Sequence, residues 1–243
     1  MDLLFDRELL ARNLSRSVKN FHEHNFLHHE IANRIAENVE SLNREFGNVL
    51  EIGARDDYLS SLVTAEKKIT TEDSEILSLK PNSFDLILSN LNLHFINQIP
   101  QFLLQIKEAL NPDGIFIASF FGEENLRELA HVLHQSEIEI YGGISPRMPP
   151  TIDVKTAAAL LQKAGFVDPI SEFAKVEVSY SDPMKLLKDL KFMGQGNILT
   201  KRSRRFFTKK FLARILENYR KLYGAAEGMV TATFEIITIT GWK

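Results

Sequence analysis

Glu51 and Gly53 are the first residues in the chain whose types and spacing could do chemistry. They close the run VLEIG, in which Val49, Leu50 and Ile52 have the branched, apolar character of a buried strand. The following residues, ARDDYLSSLV, place Tyr58, Leu59, Leu62 and Val63 on the inner side of a helix. Strand, glycine turn and helix in that order is how an open α/β sheet builds a nucleotide crevice, with unpaired helix N–H groups turned toward the ligand. Arg55 and Asp57 bring side chains to a turn where further glycines would let a ligand approach the backbone.

Two more residues are candidates for catalysis. His94 follows the apolar strand FDLILSN and could serve as a general base in the same crevice, with packing beneath a covering segment as the alternative. Arg147, in the loop YGGISPRMPP, offers a planar fork for a carboxylate or phosphate beside Gly142 and Gly143. A rigid connector with Arg147 bonded to a helix end is the alternative there. The histidines from His22 to His29, in HEHNFLHH, include His24 and His28 at metal-ligand spacing with Glu23 or Glu30 nearby. A solvated polar turn is the favoured reading, and no metal site is predicted. GQGN at 194–197 reads as a helix cap and turn, with Asn197 a candidate substrate contact. Lys201, Arg202, Arg204, Arg205, Lys209 and Lys210 surround Phe206 and Phe207, a mixture that suits RNA. Phe207, Phe211, Ile215 and Leu222 nevertheless fit an inward helical stripe, so an amphipathic helix is predicted and no nucleic-acid partner.

The elements that must position these residues follow from periodicity. Ile31, Ile35 and Val39 recur every fourth residue and predict a helix over 28–42, after an earlier helix that begins near Leu3. Only 30 residues separate Gly53 from Phe84. One strand–helix–strand unit alone takes about 30 or more. One strand–helix unit is therefore predicted to be missing, leaving a short strand at 68–71 before Glu72 and Asp73. Further on, helices are predicted at 98–110, 124–138 and 153–164, and strands at 84–90, 114–121, 176–180 and 230–242. The reading is one domain over 1–243 with lid elements at about 1–42, 122–152 and 183–223.

Bulk properties narrow the classes. The absence of cysteine excludes disulfides, thiolate metal sites and cysteine nucleophiles and favours an intracellular, cytoplasmic location. A net charge of −3 gives no global sign of nucleic acid or an acidic membrane surface. Apolar runs such as GIFIASFF are too short to span a bilayer, so no transmembrane segment is predicted.

The first strand and turn resemble the first motif of the class I S-adenosylmethionine-dependent methyltransferases, a hydrophobic strand and an acid followed by G-x-G-x-G. Glu51 and Gly53 match it, while Arg55 and Asp57 stand at the second and third glycines. The segments FDLILSNLNLHFI, LNPDGIFIASFFG, GGISPRMPP, LLQKAGF, DLKFMGQGN and TATFEIITITGWK resemble the methyltransferase-like assembly factors of respiratory complex I, the assembly factor five group, and its alphaproteobacterial members in particular. The biotin-pathway malonyl-carrier-protein methyltransferases are similar at a greater distance. The resemblance implies an α/β fold, a Rossmann-like sheet lacking one strand–helix unit, with helical lid insertions. It also implies a protein partner, a complex I subunit, whose arginine the mitochondrial members hydroxylate. Carried over by residue, it implies that Glu51 and Gly53 face the methionine part of S-adenosylmethionine and that Asp73 accepts from the adenine amino group. Ser89, Asn90 and Leu91 would lie beside the methionine and adenosine. The acid that ends the second strand and grips the ribose has no counterpart. Its two charge-assisted hydrogen bonds, worth roughly 1.5–3 kcal/mol each, correspond to about two to four decades of affinity. The expected function is thus to act on or hold a protein partner, with S-adenosylmethionine binding weakened or lost. The alternative is an active methyltransferase on a protein or carrier-bound carboxylate. Methyl transfer requires mainly that nucleophile and methyl be held in line, so the lack of an evident acid–base pair excludes neither.

Overall fold

The period-four apolar positions and the glycine and proline breaks translate into eight helices and six strands in the computed structural model, which describes residues 3–243. In chain order these are α1 (Arg7–His24), α2 (Phe26–Ser41), β1 (Asn48–Ile52), α3 (Tyr58–Leu62), β2 (Lys67–Thr71), β3 (Phe84–Ser89), α4 (Ile99–Ala109), β4 (Leu110–Phe121), α5 (Arg127–Tyr141), α6 (Val154–Lys163), β5 (Val167–Tyr180), α7 (Pro183–Phe192), α8 (Lys209–Tyr223) and β6 (Val230–Trp242). The strands form one sheet in the order β2-β1-β3-β4-β6-β5. The pairs β1–β2, β1–β3 and β3–β4 are parallel, and β6 runs antiparallel to β4. β2 is the edge strand, and no further strand or helix lies between β2 and β3 among the described residues, so the sheet lacks one strand–helix unit at that edge.

The chain divides into two compact units. The first, residues 25–122, 151–174 and 236–243, holds the parallel strands. Its inner strands β1 and β3 are buried almost without alternation, as strands covered on both faces must be, whereas the edge strand β2, KKITT, is largely exposed. Leu50, Ile52, Ile87, Phe102, Ile106 and Phe116 belong to its core. Asp85 is the one partly exposed position of β3, and its carboxylate accepts from the Gly47 and Asn48 N–H groups at 3.0 and 2.8 Å. That bond clips the start of β1 to β3. Asp153 caps α6 by accepting from the Thr156 N–H at 2.6 Å, the cap predicted from sequence.

The second unit, residues 1–24, 123–150 and 175–235, is mainly helical. The 1–42 stretch is therefore split, with α1 in this unit and α2 in the first. Within it, α8 packs on α5, and α1 on α7. Phe211, Ile215 and Tyr219 of α8 are fully buried, but Phe207 and Leu222, both expected on that inward stripe, are 54% and 42% exposed. Thr208 explains the first difference. Its hydroxyl accepts from the Phe211 N–H at 3.2 Å and caps the helix, so Phe207 falls before the first turn.

Candidate functional site

The strand order turns back at β1, with β2 on one side and β3 on the other, which makes the carboxyl ends of β1 and β3 the topological switch point of the sheet. Ile52 and Ser89 are level in the register, so Gly53 and the Ser89–Leu91 corner emerge side by side. Gly53 has φ +73°, and its N–H and that of Ala54 donate to the Thr71 carbonyl at 3.0 and 3.3 Å, tying the turn to the end of β2. A Cβ on Gly53 would stand 2.5 Å from Asn92 Nδ2 and 2.7 Å from its Cγ. Gly53→Ala is therefore expected to cost about 2–4 kcal/mol, from left-handed backbone strain and overpacking together. A lower urea midpoint at unchanged m-value would register it.

The corner after β3 is bound from two sides. Asn90 Nδ2 donates to the His28 carbonyl of α2 at 2.8 Å, and its Oδ1 accepts from the Ser119 hydroxyl of β4 at 3.1 Å. The Leu91 N–H donates to the same hydroxyl at 3.1 Å, and Leu91 sits at φ +50°. Ser89 Oγ donates to the Ile52 carbonyl at 3.3 Å. Of the residues carried over as cofactor contacts, Glu51, Gly53, Ser89, Asn90 and Leu91 thus meet at one place, with Asn90 engaged in holding α2. Ser119 was visible in the sequence as a polar residue inside the apolar run GIFIASFF.

A second set of bonds brings α2 onto the turn. The His29 ring stacks on Tyr58 at 3.7 Å with 12° between planes, and Nε2 lies 2.9 Å from Asp56 Oδ2. The Tyr58 hydroxyl donates to Asn33 Oδ1 at 3.1 Å. The helix that follows the turn has only five residues, and its N-cap, the exposed Asp57, makes no capping bond.

The electrostatics are unusual. Glu51 is 4% exposed, and Oε2 has no hydrogen-bond partner among the described residues. Burial, with Asp56 and Asp57 adding negative charge, pushes its carboxyl up to about 7 despite a bond from the Ser60 N–H. Asn92 Nδ2 is also buried without a hydrogen-bond partner. His28 is lowered to about 3, first by burial and then by its neighbours Arg55, His94 and His29. Arg55 is lowered by burial, against which the charges of Asp56 and Asp73 act. The exposed Glu72 and the half-buried Asp73 follow directly on the end of β2, the strand beside β1, so the structure does place acids at the end of the second strand, where the sequence reading found none.

The other candidates fall elsewhere. His94 is buried on a single 3-10 turn between the Phe95 and Phe121 rings, at 4.1 and 4.6 Å. Arg147 belongs to the helical unit, where its guanidinium pairs with Glu137 at 2.8 Å and lies 4.7 Å over the Phe211 ring. Asn197 donates to the Pro146 carbonyl at 3.0 Å and caps the Leu199 N–H. Asn25 separates α1 from α2, so His24 and His28 do not share a helix. His24 instead bonds Asp189 at 2.5 Å, and His22 is exposed beside Glu23. No three His, Asp or Glu side chains converge on a metal position among the described residues. Asn92 is the site residue for which the sequence gives no signal, and His29 shows there only as one of a histidine cluster, since each acts through a distant partner.

Residues 26–118 match the family model described as "Methyltransferase domain". The chain is 31% identical over 266 residues to the arginine-hydroxylase NDUFAF5, mitochondrial, of Danio rerio, covering 99% of this chain and 83% of that protein. It is 25% identical to the malonyl-[acyl-carrier protein] O-methyltransferase of Halorhodospira halophila, over 98% of this chain and 88% of the other. In fold it is similar to the crystal structure of the YcgJ protein from Bacillus subtilis, with TM-score 0.54 at 13% identity, covering 89% and 99% of the two chains. A switch-point turn built on Glu51 and Gly53 and a near full-length likeness to NDUFAF5 lead to one conclusion: the chain belongs to the NDUFAF5-like group of the class I S-adenosylmethionine methyltransferase superfamily.

Proposed function

We propose that this protein acts on or holds a protein partner, in the manner of an assembly factor, with a weakened grip on S-adenosylmethionine. The observation that carries the reading is the state of the crevice at the adenosine side. Arg55 occupies a partly buried position within the charge of Asp73, and α2 is bonded across the turn through His29–Asp56, Tyr58–Asn33 and Asn90–His28. A nucleoside there has to compete with Arg55 for Asp73, and the one-turn α3 supplies little dipole. The residues fit the cofactor in part. Glu51 Oε2 and Asn92 Nδ2, an acceptor and a donor left over in a buried place, match the ammonium and carboxylate of an amino-acid end. The adenosine end fits less well, because Arg55 lies within the charge of Asp73. When bound, the cofactor would supply an electrophilic methyl group. The family likeness supports a complex I subunit as the partner, and the lack of cysteine supports a cytoplasmic location.

The unsatisfied Glu51–Asn92 pair favours a second reading, an active methyltransferase on a protein or carrier-bound carboxylate. Calorimetric titration with S-adenosylmethionine and S-adenosylhomocysteine separates the two. Dissociation constants weaker than about 100 μM are expected, a binding free energy smaller in magnitude than about 5.5 kcal/mol. Low-micromolar values for either ligand would replace it with the enzyme reading.

A further inference from the structure

The loop leading into α8 has a composition opposite to that of the whole chain. Residues 201–210, KRSRRFFTKK, hold six cations and no acid in a protein of net charge −3. Two cations are engaged: Arg202 pairs with Asp6 at 3.1 Å, and the Arg205 guanidinium lies 5.2 Å over the Tyr141 ring. Lys201, Arg204, Lys209 and Lys210 are exposed and have no ion-pair partner among the described residues. Between them Phe206 is 91% exposed, beside a Phe207 that is 54% exposed and rests edge-on against Phe211 at 5.2 Å. The loop's start is fixed. The Thr200 N–H donates to the Leu4 carbonyl at 2.9 Å, its hydroxyl donates to the Leu3 carbonyl at 2.7 Å, and Phe5 bridges Leu199. That anchoring brings in two more exposed apolar side chains, Leu3 at 51% and Leu4 at 42%.

We propose that Leu3, Leu4 and residues 201–210 form a docking surface for an anionic lipid bilayer, with Phe206 entering the acyl–headgroup boundary and the four unpaired cations on the headgroups. Three partners carry the negative charge this loop calls for, and the apolar residues choose among them. Leu3 and Leu4 have no π-face on which a base could stack, so a nucleic acid would leave them unused. An acidic protein would need a hollow shaped to a protruding phenylalanine. The bilayer boundary accepts aromatic, aliphatic and long basic side chains together without shape matching. Net charge conceals such a surface because screening confines each charge's reach to about 10 Å at 0.1 M salt.

Sedimentation of the full chain with phosphatidylcholine vesicles, with and without phosphatidylglycerol, tests the proposal. Binding is expected only to the anionic vesicles and is expected to fall strongly between about 0.1 and 1 M salt. Phe206→Ser should weaken it by about tenfold, and Arg204→Glu by about fivefold or more. Phe206 is 91% exposed, so an unchanged thermal melt is expected for that variant. Equal binding to neutral vesicles, no binding to anionic ones, or full partitioning by Phe206→Ser would each overturn the assignment. So would displacement from anionic vesicles by polyuridylate or polyglutamate at equal charge concentration, which would assign the loop to a nucleic acid or an acidic protein.

Discussion

Replacing Glu51 by glutamine is expected to stabilise the fold by about 3 kcal/mol at pH 8 and to change little at pH 4.5. Burial raises the carboxyl from 4.5 to about 7, so the folded chain prefers the protonated form. A carboxyl with a raised folded value contributes stability below its unfolded value and loses it as pH rises through the folded one. The wild-type protein therefore carries a buried anion above about pH 7, and glutamine, of the same shape, removes the charge while keeping an oxygen for the Ser60 N–H. Urea midpoints at pH 4.5, 6.5 and 8 measure the difference.

His28 makes the pH profile of this variant diagnostic. Its ring is lowered from 6.5 to about 3, so its contribution is present above 6.5 and fades as pH falls toward 3. Between 4.5 and 6.5 the unfolded chain holds the proton on His28 and the folded chain holds one on Glu51. Proton numbers match, and these two residues leave the wild-type stability level across that window. With glutamine at 51 only the histidine contribution remains, so stability should climb by about 2 kcal/mol between 4.5 and 6.5. Parallel profiles for wild type and variant would show that Glu51 is ionised in the folded protein at all these pH values. The orphaned Oε2 would then have a partner at the turn, and the Glu51–Asn92 fit to an amino-acid end would lose its basis.

The sequence made some of this site legible and concealed the rest for a physical reason. Gly53 announces a turn because a glycine after a β-type run has few other uses. The missing strand–helix unit follows from chain length alone, since 30 residues cannot hold what a full half-sheet requires. Periodicity likewise exposes the buried faces of α2 and α8. What periodicity cannot express is which polar groups meet after folding. Asn92 lies 39 positions beyond the glycine it covers, and His29 reaches Asp56 across β1. That Glu72 and Asp73 follow the strand next to β1 is a property of the sheet, not of their own segment. Phe207 lies outside α8 because the helix starts at Thr208, a good N-cap residue before a charged and apolar run that marks the start in the sequence.

Glu137→Ala is the substitution expected to damage the helical unit most, by about 3–5 kcal/mol. The Glu137 side chain is 3% exposed and accepts from the Ser145 N–H at 2.7 Å, from the Ser145 hydroxyl, and from Arg147 Nε and Nη2 at 2.8 Å each. Its truncation strands two Ser145 donors and a guanidinium whose side chain is only 16% exposed. Burial raises the Glu137 carboxyl, but the Ser145 and Arg147 bonds outweigh it and hold the group below its ordinary 4.5. Its contribution is therefore complete above that value and lost as pH falls through the folded one, so the variant's deficit should shrink in acid. Replacing both partners, Glu137→Leu with Arg147→Met, should cost far less than Glu137→Ala, because no charge is left unpaired. That contrast also decides what Arg147 is for. A structural rivet gives strong coupling in the double-mutant cycle and no change in ligand affinity for Arg147→Met. A loss under about 1 kcal/mol for Glu137→Ala would be the behaviour of a surface pair, and Arg147 would then have its fork free for a carboxylate or phosphate.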